Sequence, residues 1–267
     1  MKKTKTKLFH KLSVKSKFLM IILGVAVICI SVIGYQGLDY GKSSLTKSMY
    51  DHLTSIKTAR AQQTENYFND TNSLLKTLVS EYAIVDAMKE FSAGFSLLDS
   101  YKVELSKDYK KIFNFYYEKE LIPALNKVSA TEFGYSTLVP KKESVEYLQL
   151  HYIVNNAARE GKKYLLDDAN DGSYYSQVHK KFNPVLRKIV ENQDFSDLFL
   201  INAKSRQIVY SSNKHIDFAT SLLDGPYKDS PLAKLAHDII QKPQQGRVYI
   251  SDFAKYVPAI NQPRAFL

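Results

Sequence analysis

A run of 17 residues without a charge, "FLMIILGVAVICISVIG" from Phe18 to Gly34, sets the first constraint on this chain. A helix that crosses a bilayer needs roughly 17–25 apolar residues. A cleaved signal peptide has a shorter apolar core, about 7–15 residues, and then a small-residue cleavage site. Ser31 to Gly34 makes a poor site of that kind, so the run reads as an uncleaved anchor. Seven lysines lie between residues 2 and 17 with no acid among them, and Asp39 is the first acid beyond the run. This one-sided charge predicts that residues 1–17 are a cytoplasmic basic tail and that the chain is exported from about residue 35. The expected location is a bacterial inner membrane, crossed once.

The formal net charge of +10 suggests a nucleic-acid binder until its distribution is considered. Without the tail, 30 basic residues face 27 acidic ones. Lys141-Lys142 and Lys162-Lys163 are isolated pairs, not a basic stripe, so no nucleic-acid partner is expected. Cys29 is the single cysteine and lies inside the apolar run. A disulfide framework and a cysteine zinc site are thereby excluded. The exported part must be held by its core alone, which about 230 residues can supply.

No proline occurs before Pro123. From Asp39 to about Phe91, Leu45, Met49, Leu53, Ile56, Leu74 and Leu78 advance by threes and fours, the pattern of one long helix. About 50 residues at 1.5 Å each would make a stalk about 75 Å long. Gly41 and Asn69–Asn72 are its expected breaks. Residues 91–100 read as a turn, Tyr101–Val128 as a helix, 129–142 as loop, Glu143–Ala158 as a helix and 161–172 as loop. Tyr174–Asn192 reads as a helix that Pro184 kinks or splits. Together 35–192 form a predicted helical stalk and bundle.

The period then changes from helical to alternating. Leu198–Ile201 and Gln207–Ser211 read as strands of a hairpin around "NAKSR". "GRVYISDF", 246–253, reads as a third strand, and "PRAFL", 263–267, as the start of a fourth. Leu232–Gln241 reads as a helix with Asp229 or Ser230 as its cap and Pro231 in its first turn. Between hairpin and helix runs "HIDFATSLLDGPYKDSPLA", rich in turn residues yet carrying Phe218, Leu222, Leu223 and Tyr227. It reads as a flap over the sheet. The fold class is therefore α+β: a transmembrane helix over 18–34, a helical region, then a small antiparallel sheet over 193–267. The chain stops on Phe266-Leu267 within an apolar run, so this sheet is expected to be incomplete.

Enzyme signatures are missing. There is no glycine-rich phosphate loop, no His-Glu-x-x-His and no Gly-x-Ser-x-Gly. His151, His179, His215 and His237 are not at metal-ligand spacing. No catalytic residue, metal or cofactor is expected. Aromatic residues carry the remaining signal, with 19 tyrosines, 14 phenylalanines and no tryptophan. Tyr210, Tyr227, Tyr249 and Tyr256 fall in the β-region with Asp217 and Asp252, and an aromatic pocket with a few polar groups suits a small solute. Asp217 or Asp252 could anchor an amine and Arg247 a carboxylate; Phe218 comes from the flap. These eight residues are the candidate ligand site. Turn capping by Asp217 and strand-end capping by Asp252 are the competing readings.

The stretches "DLFLI", "IVYS", "DFAT-L--GPY-DS-LA" and "DF--Y-P----P-AFL", with "YLQLHYIVNN" and "GKKYLLDDANDGSYYSQVHKKFNPVLR" upstream, resemble the extracytoplasmic Cache-type sensor region of methyl-accepting chemotaxis proteins. Similar regions occur in membrane histidine kinases and nucleotide cyclases. The resemblance covers most of residues 35–267 and departs from the common pattern at Ser221 and Ala259. It implies a PAS-like sheet that binds a small solute such as an amino acid, amine or carboxylate. It also implies a second span, a HAMP segment and an output module after residue 267, and a homodimer formed through the long helix. A chemotaxis-type receptor is the first expectation; the sensor part of a cyclase or kinase, or an anchored interaction protein from a shortened gene, are the alternatives.

Overall fold

The computed structural model of the chain describes residues 13–101, 103, 105–158 and 161–267. Most of the basic tail thus lies outside the described residues. The chain divides into two units, Met1–Thr71 and Asn72–Leu267.

Helix α1, Val14–Leu78, is a single helix of 65 residues. The apolar stretch runs into the expected stalk without interruption at Gly34, Gly37 or Gly41, because isolated glycines cost a helix only about 1 kcal/mol each. Its apolar side chains are exposed, and the stretch is long and apolar enough to cross a membrane. Asn69–Asn72 is no break either, since Thr71 donates its hydroxyl to Tyr67 O at 2.8 Å within the helix. The helix ends instead at Val79–Glu81, a stretch with no glycine or proline, and α2 (Tyr82–Ser100) begins there. Residues 91–100, expected to be a turn, are the second half of α2. The cause is tertiary: Ala87, Phe91, Gly94, Phe95 and Leu98 form a buried face on α2. Gly94 lets α2 approach α7 (Tyr174–Gln193) closely, as a Cβ there would stand 3.1 Å from Tyr175 Cα.

The segment expected as one helix over 101–128 starts later. Helix α3 (Lys107–Phe115) passes through a π-turn, Tyr116–Leu121, into α4 (Ile122–Val128). Phe113, Tyr117, Leu121 and Leu125 are all buried and are spaced by four. A strict α-helix would carry that spacing steadily around its axis. The wider i→i+5 turn restores a single face. A short helix, α5 (Tyr135–Leu138), interrupts the expected loop, and α6 (Glu143–Gln149) continues through a second π-turn, Leu150–Val154. Pro184 does not split α7, whose side chains Phe182, Asn183 and Leu186 are buried on both sides of it.

Strands β1 (Phe199–Ile201) and β2 (Ile208–Ser211) form the expected antiparallel hairpin, with Leu200 opposite Tyr210. Helix α8 (Pro231–Gln241) is capped as expected, Ala233 N donating to Ser230 Oγ at 3.2 Å. The third strand is displaced. Residues 246–253 form no strand, and β3 (Ala254–Tyr256) pairs with β4 (Gln262–Arg264) in a sheet of its own. The expected single sheet is thus two separate two-stranded sheets. Tight turn geometry isolates the second one: Pro258 sits in a 3₁₀ turn, and Ile260 and Asn261 adopt positive φ.

The segment 212–230 joins three apolar clusters. Phe218 and Ala219 enter the one around Phe91; Ile216 and Tyr227 enter the one around Phe113; Leu222 enters the one around Ile208 and Tyr256. It is a keystone of the fold, not a covering flap. Its turn requires Gly225, where a Cβ would lie 2.3 Å from Ser221 O. Gly225→Ala is expected to destabilise the unit by roughly 1–3 kcal/mol, measured by denaturant titration, because backbone must move to admit the methyl group.

Candidate functional site

Three of the predicted residues come together around the keystone. Asp217 is fully buried and its Oδ2 accepts a hydrogen bond from Tyr256 Oη; this bond ties β3 to the segment. Asp217 Oδ1 and the hydroxyl of buried Tyr227 have no partner among the described residues. Burial pushes the Asp217 carboxyl up to about 7. The flanking carbonyls are held from α6: Gln149 Nε2 donates to Ile216 O and Phe218 O, both at 2.8 Å, and Gln149 Oε1 accepts from Tyr117 Oη at 2.5 Å.

Tyr210 and Phe218 belong to a second group, centred on Lys214. This lysine is fully buried at a positive φ of 55°. Its ammonium lies 4.4 Å from the Tyr210 ring centroid, 5.4 Å from Phe218 and 5.9 Å from Tyr152. It donates to Ser211 O and, at 3.5 Å, to Ser212 O. Burial lowers its pKa to about 7, against the opposing pull of Asp197 and Asp167. The aromatic faces partly replace lost water. His179 packs on the same two tyrosines, 4.5 Å from Tyr152 and 5.7 Å from Tyr210. Its Nδ1 lies 2.8 Å from Asp167 O, which fixes the proton there. Nε2 is buried and has no partner among the described residues. Burial first, and Lys214 second, depress the imidazole well below its ordinary pKa. Asn183 completes the group, accepting from Tyr210 Oη at 2.8 Å and donating to Asp167 Oδ1 at 2.7 Å.

The other three predicted residues lie apart. Arg247 is exposed, stacks 4.9 Å from the Tyr249 ring and donates to Gln244 Oε1 at 2.7 Å. Tyr249 donates to Lys242 O at 2.7 Å. Asp252 is exposed and accepts from Phe253 N at 2.8 Å.

Gln149, Lys214, His179 and Asn183 were not among the sequence candidates. Lys214 stands in the polar run Ser211–His215 and looks solvated. Nothing local marks it as a core residue. These groups are buried, and burial disfavours the charged forms of Asp217, His179 and Lys214. Solvent does reach a neighbouring recess of about 220 Å³, lined by Tyr164, Arg187, Val190, Glu191, Ser212 and Asn213 among others. Ser212 connects the two, since its carbonyl accepts from Lys214 inside while the residue lines the recess outside. Among the described residues, no group of three or more His, Cys, Asp or Glu could hold a metal ion.

Comparisons with family models, with curated proteins and with solved structures returned no match for this chain.

Proposed function

We propose that the chain is the sensory part of a membrane-anchored receptor of the chemotaxis type, with the unit Asn72–Leu267 as its PAS-like, Cache-type sensor and a small solute as its ligand. One observation carries the reading: α1 includes both the apolar stretch Phe18–Gly34 and, at its end, the first residues of the folded unit. A change of packing in that unit can therefore act on the apolar stretch through unbroken helix, the kind of two-state element that signalling requires. The motif resemblance of 195–267 supports the same reading. In it, the N-terminus is cytoplasmic, the unit is exported across a bacterial inner membrane, and α1 pairs with its copy in a homodimer.

The test is a thermal-shift panel on the full chain in detergent micelles, with amino acids, amines and carboxylates as solutes. A ligand at 100 times its Kd adds about 2.7 kcal/mol. For a unit of this size that raises Tm by roughly 5–10 °C. A flat panel over a cooperative melt would overturn the reading.

A further inference from the structure

We infer that residues 214–219 form a hinged, pH-sensitive latch, held shut in acid and in alkali and opening most readily near neutral pH. The inference stands first on burial. Lys214 and Asp217 are both 0% exposed and carry opposite charges three residues apart. Neither forms an ion pair among the described residues. They face different surroundings. The Lys214 ammonium meets the carbonyls of Ser211 and Ser212 and the rings of Tyr152, Tyr210 and Phe218. The Asp217 carboxyl meets Tyr256 Oη through Oδ2, and its Oδ1 is buried without a partner. In water a carboxyl is charged above about pH 4 and an amine below about pH 10. Over that whole window the shut segment must bury a charge or hold a group neutral, whereas the open segment keeps both groups charged in water.

The second support is the backbone. Lys214 and Ala219 adopt positive φ of 55° and 65°, a region that a residue with a Cβ occupies at a cost. Between them the chain is a compact turn. Phe218 N donates to His215 O and Thr220 N to Asp217 O, both at 2.9 Å, and Thr220 Oγ1 donates to Asp217 O at 2.7 Å. The turn can swing as one piece about its two ends. Gln149 is the catch, since its two hydrogen bonds hold Ile216 O and Phe218 O. Opening withdraws Ile216 from the core around Phe113, and Phe218 from the core around Phe91.

The groups around each charge set the direction of its response. Lys214 is faced by Asp197 before β1, Asp167 before α7, His179 on α7, Tyr152 on the second π-turn and Tyr210 on β2. Arg187 on α7 acts on His179 and Tyr210. Asp217 is faced by Tyr256 on β3, by Tyr227, by Tyr117 on the first π-turn and by Asp197. His215 lies 3.1 Å from Asn213 Nδ2 and draws the Asp197 carboxyl down. Burial dominates for both latch groups, lowering Lys214 from 10.5 to about 7 and raising Asp217 from 3.8 to about 7. From pH 3.8 to about 7 the shut form holds the extra proton, on Asp217, so rising pH favours opening. From about 7 to 10.5 the open form holds the extra proton, on Lys214, so rising pH favours closure. The two slopes meet near neutral pH. The latch does not depend on the sensor reading.

Hydrogen exchange of the full chain in micelles tests it, read at pH 5, 7 and 9 as protection factors for residues 211–220. Protection is expected to be about twentyfold lower at pH 7 than at pH 5 or pH 9, as the two shifts together imply. Lys214→Met removes the alkaline arm, and protection is expected to fall about tenfold or more from pH 5 to pH 9. Asp217→Asn removes the acid arm, and protection is expected to rise by about as much over the same range. His215 and Asp197 are present in every variant, so each comparison with the wild type isolates the group removed. If one variant fails to fold, the other decides, together with the wild-type profile. A wild-type profile without a minimum, or a minimum that survives in a folded variant, would overturn the latch. So would an equal dip in the buried amides of α2 and α7, which would make the opening global.

Discussion

Gln149→Leu is expected to lower the stability of the Asn72–Leu267 unit by about 4 kcal/mol, a fall in Tm of roughly 8–16 °C. Leucine fills most of the volume but makes none of the three hydrogen bonds. Tyr117 Oη, Ile216 O and Phe218 O would each be left buried and unpaired. A buried group stripped of its partner costs about 1–3 kcal/mol, and three such groups sharing one side chain are not fully additive. The loss should be partly relieved in Tyr117→Phe/Gln149→Leu, where one orphan is removed. A single-variant loss under about 1 kcal/mol would mean that the segment 212–230 is held by its apolar contacts alone.

The second large effect is a pH profile. The Asp217 carboxyl titrates at about 7 in the folded chain against an ordinary 3.8. The folded state therefore keeps a proton that the unfolded state releases near pH 4. Stability from this group falls as pH rises from about 4 to about 7, and the full cost, about 4 kcal/mol, is borne above that window. The groups facing it are Tyr256, which donates to it, and the Tyr117 and Tyr227 hydroxyls; Asp197 raises its pKa further. Asp217→Asn keeps an acceptor for Tyr256 and removes the charge. Urea titrations at pH 5 and pH 8 should show the variant gaining on the wild type by about 2–4 kcal/mol between those two values. His179 and Lys214 titrate in both proteins and cancel in that difference to first order, whereas the repulsion between Asp197 and Asp217 is removed with the charge and is part of the gain. Identical pH slopes would show that Asp217 is ionised in the fold without penalty.

Local signals in the sequence were sufficient for several elements. The cap of α8, the β1–β2 hairpin and the unbroken apolar start of α1 follow from cap residues, alternation and the lack of proline. Elements set by distant contacts were not legible. Residues 91–100 look like a turn because of Gly94 and three serines, yet Gly94 is there to admit Tyr175. The π-turn at Tyr116–Leu121 answers a fourfold spacing whose meaning appears only once Phe113, Tyr117, Leu121 and Leu125 share a core. "GRVYISDF" alternates like a strand but forms none; Ser251 N donates to Phe266 O at 2.9 Å, and the regular ladder begins at Ala254.

The same division holds for the site. Aromatic and acidic residues of the β-region drew attention to Tyr210, Asp217, Phe218, Tyr227 and Tyr256, which do gather in the interior around the keystone. The residues that give the interior its polarity are Gln149, His179, Asn183 and Lys214. They are contributed by α6, α7 and the segment after β2, separated by up to 65 positions. Arg187 and Asn213, which line the recess, are likewise ordinary surface-type residues until folding places them side by side.

The central claim is that solute binding in the folded unit is felt along α1. Disulfide cross-linking of Met49→Cys in membrane vesicles, with Cys29 replaced by serine, tests it most directly. Met49 is exposed on α1, between the apolar stretch and the folded unit. The account predicts that the solute which raises Tm also changes the rate of cross-link formation between two copies by about twofold or more. An unchanged rate at saturating solute, with binding shown by calorimetry on the same vesicles, would contradict it.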